Sequence, residues 1–247
     1  MQKKRSGSTR YFFYIILGII ALYTIFFGIR ILFLNLDFLT IEKIEFSGNT
    51  QLEINFLENL SADFLEKNLF AVSNIDVQKK FENVVRIKKI KSTKIFPNKL
   101  KIIIEERIGK FYLKTANGKI IPLDKDKIVL DKKTENLPII SLNLDSLNIF
   151  IGQKITSTFV DSVFAFENKL SNADADFINN ISEFYPHENE IYLIDKNNGN
   201  KIIFGNGEID KKLMRFKYIE ENRTFQSGSI IDLRFKDEVI IKSEESW

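Results

Sequence analysis

Residues 11–29, YFFYIILGIIALYTIFFGI, run without a single charge, and residues 31–34 carry the apolar stretch past Arg30. A run of that length spans the hydrocarbon core of a bilayer. A cleavable signal peptide has a shorter apolar stretch and ends in a small-x-small site, neither of which stands here, so the segment is read as an uncleaved signal anchor. Lys3, Lys4, Arg5 and Arg10 precede it with no acid among them, whereas Asp37, Glu42 and Glu45 follow. The positive-inside rule then leaves residues 1–10 as a cytoplasmic tail and everything beyond residue 36 outside. Arg30 lies near the outer end, where its stem can lie along lipid while its head reaches the interface.

Charge and composition narrow the function. The chain is formally +3, but beyond Arg30 there are 31 basic residues against 33 carboxylates. A nucleic-acid binder would carry its positive excess on the folded part, where phosphates could meet it. Having no cysteine excludes disulfides, thiolate nucleophiles and Cys-built metal sites, and the single His187 excludes a histidine-rich one.

Residues 40–108 read as strand, helix, helix, strand, strand. Ile41, Ile44 and Phe46 alternate with charges up to the turn at Ser47-Gly48-Asn49. Thr50 and Glu53 have capping-box spacing ahead of Phe56, Leu57, Leu60 and Phe64, and Ser73 with Asp76 does the same for Val77 and Phe81. VVRIKKIKSTKIF and LKIIIEER flank Pro97-Asn98-Lys99, which predicts a hairpin. The expected fold class is α+β: a transmembrane helix, a small sandwich with two helices on one sheet face over residues 37–108, and a mostly antiparallel β-domain with two flanking helices over residues 109–247. In that second part Asn117-Gly118 and Asn198-Gly199 predict hairpins. One helix is marked by Phe159, Val163, Phe166 and Leu170 and opened by Ser157 or Thr158; another is marked by Ile209, Leu213, Phe216 and Ile219.

No arrangement for covalent chemistry emerges. Gly205-Asn206-Gly207 stands between a strand and a helix, but Asp210 occupies the place of the third small residue and would repel a phosphate, so the segment is read as a strand-to-helix turn. Asp174 and Asp176 lack the glycine and terminal glutamate of a calcium loop and are read as solvated loop. Glu105 and Glu106 are neighbours on a strand and point to opposite faces. His187 is placed in a Pro186-His187-Glu188-Asn189 turn, and Trp247 is read as a frayed end. Catalytic, cofactor and metal residues are therefore expected to be none.

The motifs resemble the FtsQ/DivIB family of bacterial cell-division proteins. After a single span comes the hydrophobic-x-Gly-Asn turn of a POTRA (polypeptide-transport-associated) module, here Phe46-Ser47-Gly48-Asn49. Phe96-Pro97-Asn98-Lys99-Leu100 and Glu106-Arg107 are similar to the family's hairpin. IIFGNG, Lys212-Leu213 and Asp232-Leu233-Arg234-Phe235 are similar to the end of its β-domain. The family often carries Tyr where this chain has Phe235, which keeps the aromatic surface without the hydroxyl. The resemblance implies a non-enzymatic divisome scaffold at the septal inner membrane, with the POTRA module recruiting it through other divisome components. The last strands would bind FtsB-like and FtsL-like coiled-coil partners, with membrane lipid around the anchor and no nucleic acid or cofactor. Alternatives are a POTRA-bearing component of an export or outer-membrane assembly system, or a membrane-anchored cell-wall enzyme.

The residues assigned to partner binding are Asp232, Leu233, Arg234, Phe235 and Lys236. As a strand with a free edge, this segment would put Leu233 and Phe235 on one face and Asp232, Arg234 and Lys236 on the other. A partner strand could then add to the edge while Arg234 takes a partner carboxylate. Arg234 is expected to be exposed in the free protein, and Phe235 also to contact its own domain; a salt bridge within the β-domain is the competing role for Arg234.

Overall fold

A computed structural model describes residues 7–34, 36–131, 136–142, 149–187 and 190–243, with side chains from Tyr11 onward. The cations Lys3, Lys4 and Arg5, the Glu188-Asn189 half of the anticipated turn, and Trp247 lie outside the described residues. Contacts group the chain into two compact units, Met1–Glu106 and Arg107–Trp247.

In the first unit, helix α1 (Gly7–Leu34) takes up the apolar run. Within it Tyr11–Leu34 has the length and hydropathy to cross a membrane, and its most apolar window is not buried against the rest of the chain. Among the described residues nothing buries that window, and a stretch of helix apolar on every side and so exposed is suited to lipid. The three-stranded sheet that follows has the order β1-β3-β2, with β1 (Lys43–Ser47), β2 (Ile87–Ile95) and β3 (Lys99–Glu106). The Phe96-Pro97-Asn98 turn is short, so β2 and β3 are antiparallel; β1 reaches β3 only after two helices and pairs with it in parallel. Along β3, Leu100, Ile102 and Ile104 face inward onto Leu57 of α2 (Ile54–Ser61) and Val77 and Phe81 of α3 (Asn74–Phe81), while Ile103 and Glu105 face solvent. Gly48 turns at φ +86°, and a Cβ there would lie 2.1 Å from the Ile104 carbonyl oxygen, so only glycine fits.

The Ser73–Asp76 capping box forms as the spacing predicts, but the one at Thr50–Glu53 does not. Glu106, buried at the end of β3, draws that turn to itself. Its carboxylate accepts from Thr50 N and Thr50 Oγ1, both at 3.0 Å, from Gln51 N at 2.8 Å and from Leu52 N at 3.0 Å. Helix α2 therefore begins after Glu53 without a side-chain cap and ends at Ser61. Phe64 is buried from a following 3₁₀ turn, and Phe56 stays on the solvent side.

The second unit holds an eight-stranded sheet of order β11-β10-β9-β8-β7-β6-β4-β5. Its strands are β4 (Gly109–Lys114), β5 (Ile120–Asp124), β6 (Ile139–Ser141), β7 (Ile181–His187), β8 (Glu190–Asp195), β9 (Lys201–Ile203), β10 (Ile230–Asp232) and β11 (Ile240–Lys242). Asn117-Gly118 and Asn198-Gly199 each join an antiparallel pair, as their sequences predict. Long connections give parallel pairs instead: α4 (Thr158–Ala173) and α5 (Ala175–Asn179) lie between β6 and β7, and α6 (Ile209–Asn222) between β9 and β10. Val160, Val163 and Leu170 of α4 and Leu213 and Phe216 of α6 share one core with Phe111, Leu113, Ile140, Phe184, Leu193, Ile202 and Ile231 of the sheet. Asp174 is not solvated loop. It caps α5 by accepting from Asp176 N and Phe177 N, both at 3.1 Å, and pairs with Lys217, whose hydrogen bond holds its carboxyl below the usual range.

Candidate partner-binding face

Because side chains alternate along a strand, packing Leu193, Ile202 and Ile231 into the core turns their neighbours Tyr192, Ile203 and Asp232 to the opposite face. There they line a groove of about 830 Å³ across the sheet. Four basic residues, Lys114, Lys201, Arg234 and Lys242, border it against two carboxylates, Glu183 and Asp232. Tyr185 and Tyr192 meet edge to face at 5.5 Å, and the His187 ring lies 4.5 Å from Tyr192. Burial, with Tyr192 and Glu183 nearby, raises the Tyr185 hydroxyl pKa above its ordinary value. The floor is thus aromatic and aliphatic and the rim positive, which suits an amphipathic segment bearing acids.

The sheet's two edges are treated differently. Along β5 the following loop folds back, with Leu130 N donating to Pro122 O at 2.9 Å, Asp124 N to Ile128 O at 3.0 Å, and a bridge between Leu123 and Val129. At the other end β11 has β10 as its ladder partner, and no further strand lies beyond it among the described residues.

The segment assigned to partner binding is not the edge strand. β10 stops at Asp232, because Arg234 N donates to Asp232 Oδ1 at 3.0 Å and turns the chain away from the ladder. The edge is β11, eight residues further on. Leu233 is wholly buried in the unit's own core, whereas Phe235 is 45% exposed, so the two do not share a face. The carbonyls of Phe235 and Lys236 both accept from Arg215 Nη1, the first at 2.7 Å. Of the five residues, Asp232 and Arg234 border the groove.

Arg234 is already paired. It forks onto Asp232, with Nε 3.0 Å from Oδ1 and Nη2 2.7 Å from Oδ2, and reaches Glu190 Oε2 at 3.3 Å. This is the salt bridge within the domain that competed with the free arginine. Burial works against the Asp232 anion, yet the Arg234 hydrogen bonds prevail and hold its carboxyl pKa below the usual range. The same contacts raise the guanidinium further above its already high value. The side chain of Arg234 nevertheless remains 38% exposed.

Sequence reasoning missed what seats this arginine. Gly205 turns at φ +61°, and a Cβ there would stand 2.7 Å from Arg234 Cγ, so the strand-to-helix turn is a bed for the arginine stem. Lys212, buried on α6, holds the turn from beneath by donating to Phe204 O and Asn206 O, both at 2.7 Å. Among the described residues no group of three or more His, Asp or Glu side chains is placed to hold a metal ion. Glu105 faces Lys89 at the surface while Glu106 is buried on the turn, so they diverge as the strand requires.

Residues 39–107 match the family model for the POTRA domain of FtsQ type. The chain is also 32% identical over 111 residues to the cell division protein DivIB of Clostridium botulinum strain Hall, a stretch covering 44% of this chain and 43% of that protein. It is 30% identical over the same length and shares to DivIB of the Loch Maree strain. Over these stretches the chain is similar to the FtsQ/DivIB cell-division proteins. The match spans less than half the length of these relatives. The three-stranded sheet with α2 and α3 is therefore an FtsQ-type POTRA domain, and the Gly48 turn and Glu106 fall inside the matched region. The groove, β11 and Arg234 lie beyond residues 39–107, in the β-rich part of the chain.

Proposed function

We propose that the chain is a non-enzymatic scaffold of the bacterial divisome, anchored in the septal inner membrane by residues 11–36, with residues 1–10 in the cytoplasm. The POTRA module of residues 37–108 brings it to the division site through other divisome components. The β-domain of residues 109–247 holds FtsB-like and FtsL-like coiled-coil partners and through them controls septal peptidoglycan synthesis. The observation that carries this reading is the contrast between the sheet edges, β5 covered by its own loop and β11 open beside a cationic, aromatic groove. An extended partner segment can add to β11 through main-chain hydrogen bonds while an adjoining amphipathic stretch lies in the groove. Similarity to DivIB proteins supports the division role, and Asp37, Glu42 and Glu45 after a span preceded by basic residues support the orientation.

A fluorescent fusion expressed in cells depleted of the native protein tests it. Accumulation at midcell with restored septation is expected, and uniform membrane fluorescence without rescue would refute the division role. Orientation is read with cysteines in this cysteine-free chain: Ser6→Cys should resist an impermeant maleimide in intact cells while Asn197→Cys reacts, and the opposite labelling would invert the topology.

A further inference from the structure

At 1.5 Å per residue the 24 residues of Tyr11–Leu34 extend ~36 Å, longer than a hydrocarbon core of ~30 Å, so the last turn of α1 lies at the lipid–water interface. The POTRA domain touches that turn. Asn68 Nδ2 donates to Phe33 O at 2.9 Å, and the Phe70 ring meets the Phe33 ring edge to face at 6.2 Å. Lys94 Nζ lies 5.2 Å from the Phe70 ring. Two residues on, Phe96 at the β2–β3 turn packs edge to face on Phe38 at 6.0 Å. That turn is held to the chain leaving the helix, since Glu42 N donates to Asn98 O at 2.9 Å and Asn98 Nδ2 to Glu42 Oε2 at 2.5 Å. Phe96 is 64%, Phe38 54% and Phe70 48% exposed, an apolar patch with no protein cover among the described residues.

We propose that the Phe38, Phe70 and Phe96 face of the POTRA domain seats in the extracytoplasmic leaflet of the bilayer that holds its own anchor, fixing the module against the membrane. The occupant is lipid because the patch is continuous with the span through the Phe33–Phe70 contact, which leaves Phe70 no depth other than that of the interface. Aromatic rings beside a lysine whose head can reach water are the side chains that suit that layer. The inference rests on the anchor reading.

The test uses the full chain in phospholipid vesicles, with a bimane on one introduced cysteine and lipids brominated either deep or shallow in the acyl chain. Gly18→Cys, with open space around it, reports insertion of the span; Phe96→Cys and Phe38→Cys report the patch; Asn197→Cys is the exposed control in the β-domain. Shallow bromines should remove roughly half the emission at positions 96 and 38 and leave 197 unchanged, while deep bromines quench position 18. Quenching at 18 with none at 96 and 38 would overturn the lipid seat while keeping the anchor. No quenching at 18 would remove the anchor reading and the seat with it.

Discussion

Glu106 in the POTRA domain and Asp232 in the β-domain are both buried carboxylates at the ends of strands, and they are satisfied in opposite ways. Glu106 takes backbone amides from three consecutive residues, donors that cannot leave, and the turn closes over it. Asp232 takes a single backbone amide, that of Arg234, and is otherwise held by the side chain of Arg234, which is part-exposed, reaches on to Glu190 and lines an open groove. A carboxylate bound by fixed backbone specifies a fold. One bound by a movable, part-exposed guanidinium leaves that guanidinium able to meet a second acid while it keeps the first, and so suits an interface.

The largest effect should come from the closed site. Glu106→Ala removes four charge-assisted hydrogen bonds and leaves three backbone amides unpaired, and should destabilise the POTRA domain by about 3 kcal/mol in a denaturant melt. Glu106→Gln, which keeps the shape but cannot accept at both ends, should lose about half of that. Little change in either variant would put Glu106 on the same footing as Asp232.

Arg234→Glu should reduce capture of FtsB-like and FtsL-like partners by about thirtyfold, roughly 2 kcal/mol, and, by leaving the buried Asp232 carboxylate without its ion-pair partner, should cost about 1 to 2 kcal/mol in the melt. Midcell recruitment should persist, since the POTRA module is intact. Phe235→Ala, truncating a ring that is 45% exposed, should leave folding near wild type. A melt damaged more than binding by Arg234→Glu would make the arginine a structural residue.

Gly205→Ala should lower stability by about 1 kcal/mol through its positive φ, and should push Arg234 off its bed, weakening partner capture without touching the partner. Equal binding by this variant would mean that the seat does not position the arginine.

The smallest effect is one of pH. Because the Asp232 carboxyl is depressed in the folded state, its contribution to stability is fully present above the ordinary carboxylate range and fades as pH falls through the depressed value. Arg234→Met should flatten that acid limb in a series of thermal melts, whereas the Glu106 variants should leave this limb's Asp232 share in place.

Much of the fold was legible because its signals are local. Asn117-Gly118, Asn198-Gly199 and the Ser73–Asp76 box are read within four residues, and each forms where the sequence puts it. What failed was decided across long separations. Thr50 has the spacing of a helix cap, but a carboxylate 56 residues away, that of Glu106, takes the backbone amide that Glu53 would have accepted from. The Asp232–Lys236 segment alternates like a strand, but Asp232 turns onto Arg234, and the register of β10 is fixed by parallel pairing to β9 across α6. Gly205 and Lys212 lie in motifs that were read, yet their function appears only when Arg234 is laid over them.

In the proposed function, partners add to the open edge of the β-domain sheet and to the groove beside it. Amide hydrogen exchange of the full chain, with and without the FtsB-like and FtsL-like partners, tests it most directly. The amides of Ile240–Lys242 should slow by about tenfold or more on binding, together with groove-lining residues of β9 and β10, while the Gly48 turn and β3 stay unchanged. Protection confined to the POTRA domain, or none along β11, would contradict the account.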